Sequence, residues 1–150
     1  MLSLTRKSDY ALVALSHLAR CGDRLSSARE IADNYRIPLP ILMNILKTLS
    51  RQGVITSVRG ARGGYRLGME PEDITLHLVV EAMEGPVNLF ACAHEGAHGA
   101  ARGCEKTHWC PIASSARSVS NRLETFLKAV TLAEIAAEVD PRGSAVAINC

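Results

Sequence analysis

Apolar positions recur at helical spacing through most of the first fifty residues. Between Arg6 and Arg20, Tyr10, Ala11, Ala14, Leu15 and Leu18 fall at intervals of three and four, predicting an amphipathic helix. Thr5 is positioned to cap it, and Asp9 stands near its start, where a carboxylate suits the helix dipole. The stretch "CGDRL" breaks the period. A second helix is announced at Ser27, which stands three residues before Glu30 in capping-box spacing. Ala28, Ile31 and Ala32 supply its apolar side, and it runs out near Tyr35. The linker "RIPLP" leads into a third helix from about Pro40 to Gln52, with proline in its first turn and Gly53 as its stop. Ile41, Leu42, Ile45, Leu46 and Leu49 form its buried side.

The period then changes. "VITSVR" and "GYRLG" read as two short strands joined by "GARG", with Gly60, Gly63 and Gly64 suited to a tight turn. Thr75 is placed to cap a short helix with Leu76, Val79, Val80 and Met83 on one face, ended by "EGP". From Gly85 to Pro111 regular patterning is almost absent, and so long an unpatterned stretch in a small protein is usually functional. Ser114 to Val130 predicts the last long helix, with Val119, Leu123, Phe126, Leu127 and Val130 in one stripe. That stripe suits either the preceding domain or a twin helix. A short apolar helix, about Leu132 to Val139, and a loose tail complete the chain.

The expected fold is therefore mostly α with a small β-hairpin wing: a winged helix-turn-helix followed by a long C-terminal dimerisation helix. The expected units are a DNA-binding domain over 1–68, a short helix and loop over 69–113, dimerisation helices over 114–139 and a tail over 140–150. In a winged helix the second helix of the pair enters the major groove, and the hairpin lies along the backbone or minor groove.

Charge strengthens that reading. The net charge is only +2, but Met1 to Arg66 holds eleven Lys/Arg against four Asp/Glu, or +7. Leu67 to Cys150 holds six against eleven, or −5. A basic first half suits a phosphate-bearing partner, here double-stranded DNA. On the third helix, Asn44 has the chemistry to read adenine, and Lys47 and Arg51 to reach guanine or phosphate. Arg59 and Arg62 sit on the glycine-bearing turn, where arginine suits a narrow minor groove. Leu39, Pro40 and Met43 on the same helix and Tyr65 on the returning strand complete the expected DNA-contacting set.

No apolar run approaches the ~20 residues of a membrane span. The N-terminus lacks an uninterrupted apolar signal core, so the chain reads as a mature cytoplasmic protein. No nucleophile–base pairing is visible, and "GARGGY" lacks the lysine and helix start of a phosphate loop. The expectation is a protein that is not an enzyme.

The unpatterned loop concentrates soft ligands. "CAHEGAHGAARGCEKTHWC" holds Cys92, Cys104 and Cys110 with His94, His98 and His108. Three chemistries compete for it. A structural zinc site could use three cysteines and one of these histidines, but the C-x₂₋₄-C knuckle is missing. Cys104 and Cys110 could form a redox disulfide. An iron–sulfur cluster tolerates irregular spacing and needs a fourth ligand from elsewhere. Cys21 and Cys150 stand apart as expected bystanders.

The segments "LTRKSDYALVALSHLA", "IPLPILMNILKTLSRQGVITSVRGARGGYRL", "VVEAMEGPVNLFAC" and "RLETFLKAVTLAEIA" together resemble the IscR/NsrR family of winged-helix regulators. "EGPVNLFAC … C … CPI" further resembles regulators of the SUF cluster-assembly system within it. The likeness spans nearly all of residues 2 to 138. It implies a homodimer built on the long helix, palindromic operators, and an iron–sulfur cluster, 2Fe–2S or 4Fe–4S, on Cys92, Cys104 and Cys110. Two departures matter. The first inter-cysteine gap is longer than the family's usual five residues. Some relatives also place a histidine three residues after the last cysteine, where this chain has Ala113. Other relatives use an acidic residue near the start of the partner's first helix, which maps onto Asp9. Asp9 is therefore the favoured fourth ligand, and His108 the alternative. The implied function is a DNA-binding regulator, a repressor, whose operator affinity follows cluster state. Its rivals are a thiol- or zinc-based regulator without a cluster, and a metal or redox carrier.

Overall fold

The computed structural model describes residues 4–60, 62–87, 89–90 and 109–137. Its elements run α1 (Arg6–Cys21), α2 (Ala28–Tyr35), α3 (Leu39–Arg51), β1 (Ile55–Val58), β2 (Gly64–Leu67), α4 (Leu76–Glu84), α5 (Ala113–Ala129) and α6 (Leu132–Ala137). The mostly helical fold with one antiparallel hairpin matches the expectation, and the helix limits shift by a residue or so. The expected continuation of the last helix to Val139, the loose tail, and Cys92, Cys104, His108, His94, His98 and Cys150 lie outside the described residues.

α1 is the hub. Ala11, Ala14, Leu15 and Leu18 are fully buried and meet Ile31 of α2, Leu42, Leu46 and Leu49 of α3, and Val79 of α4 in one core. Leu132 of α6 is also buried in it. Each fully buried leucine here contributes on the order of 2–5 kcal/mol against truncation to alanine.

The local signals behaved unevenly. The Ser27–Glu30 capping box is present in both directions, with the Glu30 amide 3.1 Å from Ser27 Oγ. Thr75 caps α4 by accepting from the Leu78 amide at 3.2 Å. Thr5 stands at the N-cap of α1, but its side chain makes no capping bond. Instead Glu84, the last residue of α4, accepts from the Thr5 amide at 2.9 Å and from the Ser8 hydroxyl. A carboxylate 79 positions away thus closes the helix start, and local spacing carried no sign of it.

The wing pairs Ile55 with Leu67, Thr56 with Arg66, Ser57 with Tyr65 and Val58 with Gly64. Of the three turn glycines, only Gly60 takes a positive φ, +120°. Gly64 serves close approach instead: a Cβ there would stand 2.8 Å from the Ser26 carbonyl oxygen. Ser26 and Tyr65 exchange two backbone hydrogen bonds, at 3.0 and 2.8 Å, which tie the wing to the α1–α2 connection.

α5 leaves this body. It leans on α4, where His77 lies 3.8 Å from Glu124. The chain then returns through Thr131 to seat α6 on α1. Along the predicted stripe, Val119 is 44% and Phe126 60% exposed, while Leu123 and Leu127 are half-buried. The stripe is thus partly covered by the chain's own α4 and partly open. None of the described helices is long and apolar enough to cross a membrane.

Candidate nucleic-acid interface

Helical geometry divides α3 into three faces. Leu42, Ile45, Leu46 and Leu49 point into the core. Met43, Lys47 and Arg51 turn toward the wing, with Ser50 alongside, and Asn44 stands between that flank and the one facing α1. Pro38 caps α3 and Pro40 occupies its first turn, so the helix is entered without wasted amide donors.

A groove of about 340 Å³ runs between α3 and the wing. Asn44, Lys47 and Arg51 line one wall, and Ser57 and Tyr65 the other. The strand register explains the second wall: Ser57 and Tyr65 are cross-strand partners on one face, while Thr56 and Arg66 share the other. Lys47 and Arg51 are exposed, and neither forms an ion pair with a described residue. Arg59 and Arg62 stand exposed at either side of the hairpin tip. Met43 is 45% exposed, an apolar side chain offered to solvent on the same flank.

The structure thus brings Met43, Asn44, Lys47, Arg51 and Tyr65 together at one groove, while Arg59 and Arg62 stand on the wing tip and do not line it. Leu39 is half-buried and Pro40 exposed at the start of α3. Ser50 and Ser57 belong to the groove as well and were missed in the sequence. Ser50 stands three residues after Lys47 and was findable by helical period, whereas Ser57 shares its strand face with the buried Ile55, so alternation alone would have placed it inside.

Beneath the wing's tether lies a buried polar cluster. His17 is fully buried; its Nε2 is 3.1 Å from Ser26 Oγ and its Nδ1 is 3.3 Å from the Tyr35 hydroxyl. Burial pushes the His17 pKa down, an effect larger than the opposing attraction of Glu30. Burial likewise raises that of Tyr35. Cys21 Sγ lies 3.6 Å from His17 Nε2, and Cys21 is disulfide-bonded, so it is not a free thiol.

Of the expected cluster ligands, Asp9 and Cys110 are described. Asp9 is exposed in the first turn of α1, next to the buried Ser8. Cys110 is a free, half-buried thiol three residues before α5, and its carbonyl accepts from the Ala113 amide at 3.2 Å. No group of three or more potential metal ligands occurs among the described residues.

The profile of the Rrf2 family, described as an iron-dependent transcriptional regulator, matches residues 4–138. The chain belongs to the Rrf2 family. Its relatives include the HTH-type transcriptional regulator IscR of Aliivibrio salmonicida, 31% identical over 136 residues, which cover 89% of this chain and 77% of that protein. Among solved structures, IscR of T. potens matches with a TM-score of 0.67 at 27% identity, over 89% of this chain and 85% of that one. CymR, the global cysteine regulator of B. subtilis, matches with a TM-score of 0.69 at 26% identity, over 93% and 100%. The winged-helix reading and the role of transcriptional regulator follow from this membership. For an Rrf2 regulator, the groove between α3 and the wing is the surface to consider for DNA.

Proposed function

We propose that this Rrf2 regulator is a cytoplasmic homodimer that reads a palindromic operator with α3 and the wing, and that an iron–sulfur cluster sets its affinity. The DNA reading rests on one observation above the others: a basic groove that converges from two separate elements and whose cations have no carboxylate partners among the described residues. Asn44 has the paired donor and acceptor that adenine presents, Lys47 and Arg51 answer guanine or phosphate, and Met43 offers an apolar surface to a thymine methyl. Arg59 and Arg62 track the backbone beyond. Pairing of two α5 stripes covers Val119 and Phe126 and sets the distance between the two α3 helices, hence the half-site spacing.

The cluster reading rests on Cys110 together with the family's description as iron-dependent. A half-buried, unpaired thiol at the root of the dimer helix suits a thiolate ligand, and the exposed Asp9 carboxylate suits a replaceable fourth one. Cys92, Cys104 and Cys110 with Asp9 of the partner subunit form the favoured ligand set, and His108 is the alternative fourth ligand. When bound, the cluster supplies a redox- and nitric-oxide-sensitive centre. The chain's own part is to hold the thiolates and to join that loop to α4 and α5. The mode of action proposed is repression.

Anaerobic reconstitution with iron and sulfide tests this reading. Charge-transfer bands and a Mössbauer signal, with nuclearity read from the same spectra, are expected in the wild type. Cys110→Ala should abolish the signal, and Asp9→Ala should make the cluster labile. Colourless dimers whose operator affinity ignores iron and sulfide would overturn the cluster while leaving the DNA reading intact. Lys47→Ala should weaken operator binding and lower the slope of log affinity against log salt by about 1. An unchanged slope, or equal affinity for operator and random DNA, would overturn the DNA reading.

A second reading has its own support in the disulfide at Cys21 and the likeness to CymR. In it, thiol oxidation rather than a cluster sets DNA affinity. Operator affinity of the iron-free protein that changes between reducing and oxidising buffers, and stops changing in Cys21→Ser, distinguishes it.

A further inference from the structure

A second cavity, of about 480 Å³, lies on the other flank of α3, where it meets the first turn of α1 and the last turn of α4. Its walls are apolar: Tyr10 from α1, Ile41 and Ile45 from α3, and Ala82 and Met83 from α4. Its rim carries Arg6 and Lys7, and no carboxylate is among its described lining residues. Glu84, next to Met83 on α4, is engaged by the Thr5 amide and the Ser8 hydroxyl and does not line the cavity. Arg6 and Lys7 are exposed and form no ion pair with a described residue. The volume falls within the ~300–1,000 Å³ typical of small-molecule sites, which pair an apolar lining with a few placed polar groups. The cavity also explains Ile41, 41% exposed on an otherwise polar flank.

We propose that this cavity binds a small apolar monoanion, a carboxylate with a hydrocarbon or aromatic body, as a second input to the regulator. The body occupies the space between Tyr10, Ile45 and Met83, and the carboxylate meets Arg6 and Lys7 at the rim. Charge complementarity selects the anion, because burying a carboxylate without a cationic partner is costly and two unpaired cations stand at the mouth. The proposal does not rest on the cluster.

The site has a direct route to DNA. Asn44 lines both this cavity and the groove facing the wing, so one side chain serves both occupants. A ligand that engages the Asn44 amide withdraws it from a base edge. Linkage then requires operator DNA to weaken the ligand by the same factor.

The test uses the full dimer, with the fluorescent naphthalene sulfonate ANS as reporter and decanoate as competitor. Decanamide, with the same chain but no charge, is the control. The expected result is one saturable ANS site per chain, displaced by decanoate. Arg6→Gln combined with Lys7→Gln should weaken decanoate at least tenfold and leave decanamide unchanged. Ala82→Trp, which narrows the cavity, should weaken both. Saturating decanoate should lower operator affinity at least tenfold in the wild type and not in the Arg6→Gln/Lys7→Gln protein. Absence of saturable binding overturns the site. Wild-type decanoate affinity in the doubly substituted protein overturns the charge assignment. Because Arg6 and Lys7 are exposed, that variant stays informative even if Ala82→Trp fails to fold.

Discussion

Replacing Glu84 by alanine removes the side-chain acceptor that, among the described residues, closes the start of α1. Glu84 Oε1 takes the Thr5 amide at 2.9 Å and the Ser8 hydroxyl, and Ser8 is fully buried. Loss of an N-cap costs about 0.5–2 kcal/mol. A buried hydroxyl left without its partner costs about 1–3 kcal/mol, and a carboxylate near a helix N-terminus contributes about 0.3–1 kcal/mol. These effects share one side chain and do not add. Glu84 is itself exposed, so the lower parts of the ranges apply, and Glu84→Ala should cost about 1–2 kcal/mol in all. Glu84→Gln keeps an acceptor and loses the charge, and should cost about half as much. Urea unfolding of the iron-free protein at fixed concentration measures both, with the m-value expected to be unchanged.

A double-mutant cycle with Ser8→Ala isolates the contact. Glu84→Ala should cost at least about 0.5 kcal/mol less once the hydroxyl is gone. Acid titration supplies an independent check. The Ser8 hydroxyl first, and then the Thr5 amide, hold the Glu84 carboxyl below its ordinary range. Its folded-state pKa is therefore depressed, so the stability it contributes is present above the unfolded value and is lost as pH falls through the folded one. Glu84→Gln should flatten that acid limb. Additive costs in the cycle, together with an unaltered acid limb, would refute the capping role.

The tether of the wing makes a second test. Gly64→Ala sets a Cβ 2.8 Å from the Ser26 carbonyl and disrupts the two-bond pairing of Ser26 with Tyr65, at about 1–3 kcal/mol. Operator affinity should fall at least tenfold while helical circular dichroism persists, and an unchanged affinity would show the tether to be irrelevant. His17 predicts an acid weakness of the opposite residue class. Its folded pKa is lowered chiefly by burial, so stability holds above the unfolded value of about 6.5 and declines below it, by at most about 1.4 kcal/mol per pH unit. His17→Asn should flatten that slope between pH 7 and 5, as read from urea midpoints; a slope equal to wild type would assign it to another group. Phe126→Glu, at a 60% exposed position on α5, should convert dimer to monomer in sedimentation velocity, and a persistent dimer would place the interface elsewhere.

The helices and the wing were legible because their causes are local. Three- and four-residue periods, a capping box at Ser27 and a proline in the first turn of α3 each act within one or two turns. That Asn44, Lys47 and Arg51 line one groove was legible for the same reason, since they follow at intervals of three and four on a single helix. What the sequence hid was non-local. Thr5 looked like a cap, yet Glu84 performs the task from another helix. Gly63 and Gly64 looked like turn residues, yet only Gly60 needs a positive φ, and Gly64 is required by a backbone that folds back from Ser26. The second cavity was hidden because Arg6, Ile41 and Met83 belong to three elements, and no spacing within one element brings them together.

These non-local contacts converge on one seam. Glu84 ends α4, and the segment bearing Cys92, Cys104 and Cys110 follows it in the sequence. Its carboxylate grips the first turn of α1, one residue from Asp9. The same seam walls the cavity that reaches Asn44. A pull on the root of the loop therefore meets α1 and α3 together, since α4 packs against both. Loosening the Glu84 clasp should then do more than lower stability. On the proposed cluster reading, it should reduce the factor by which cluster state changes operator affinity, because α4 would no longer be fastened to the first turn of α1. In Glu84→Gln, compared at a temperature where both proteins are fully folded, the ratio of operator affinities with and without cluster should shrink toward one. A preserved ratio would mean that the signal travels through α5 and the dimer contact instead.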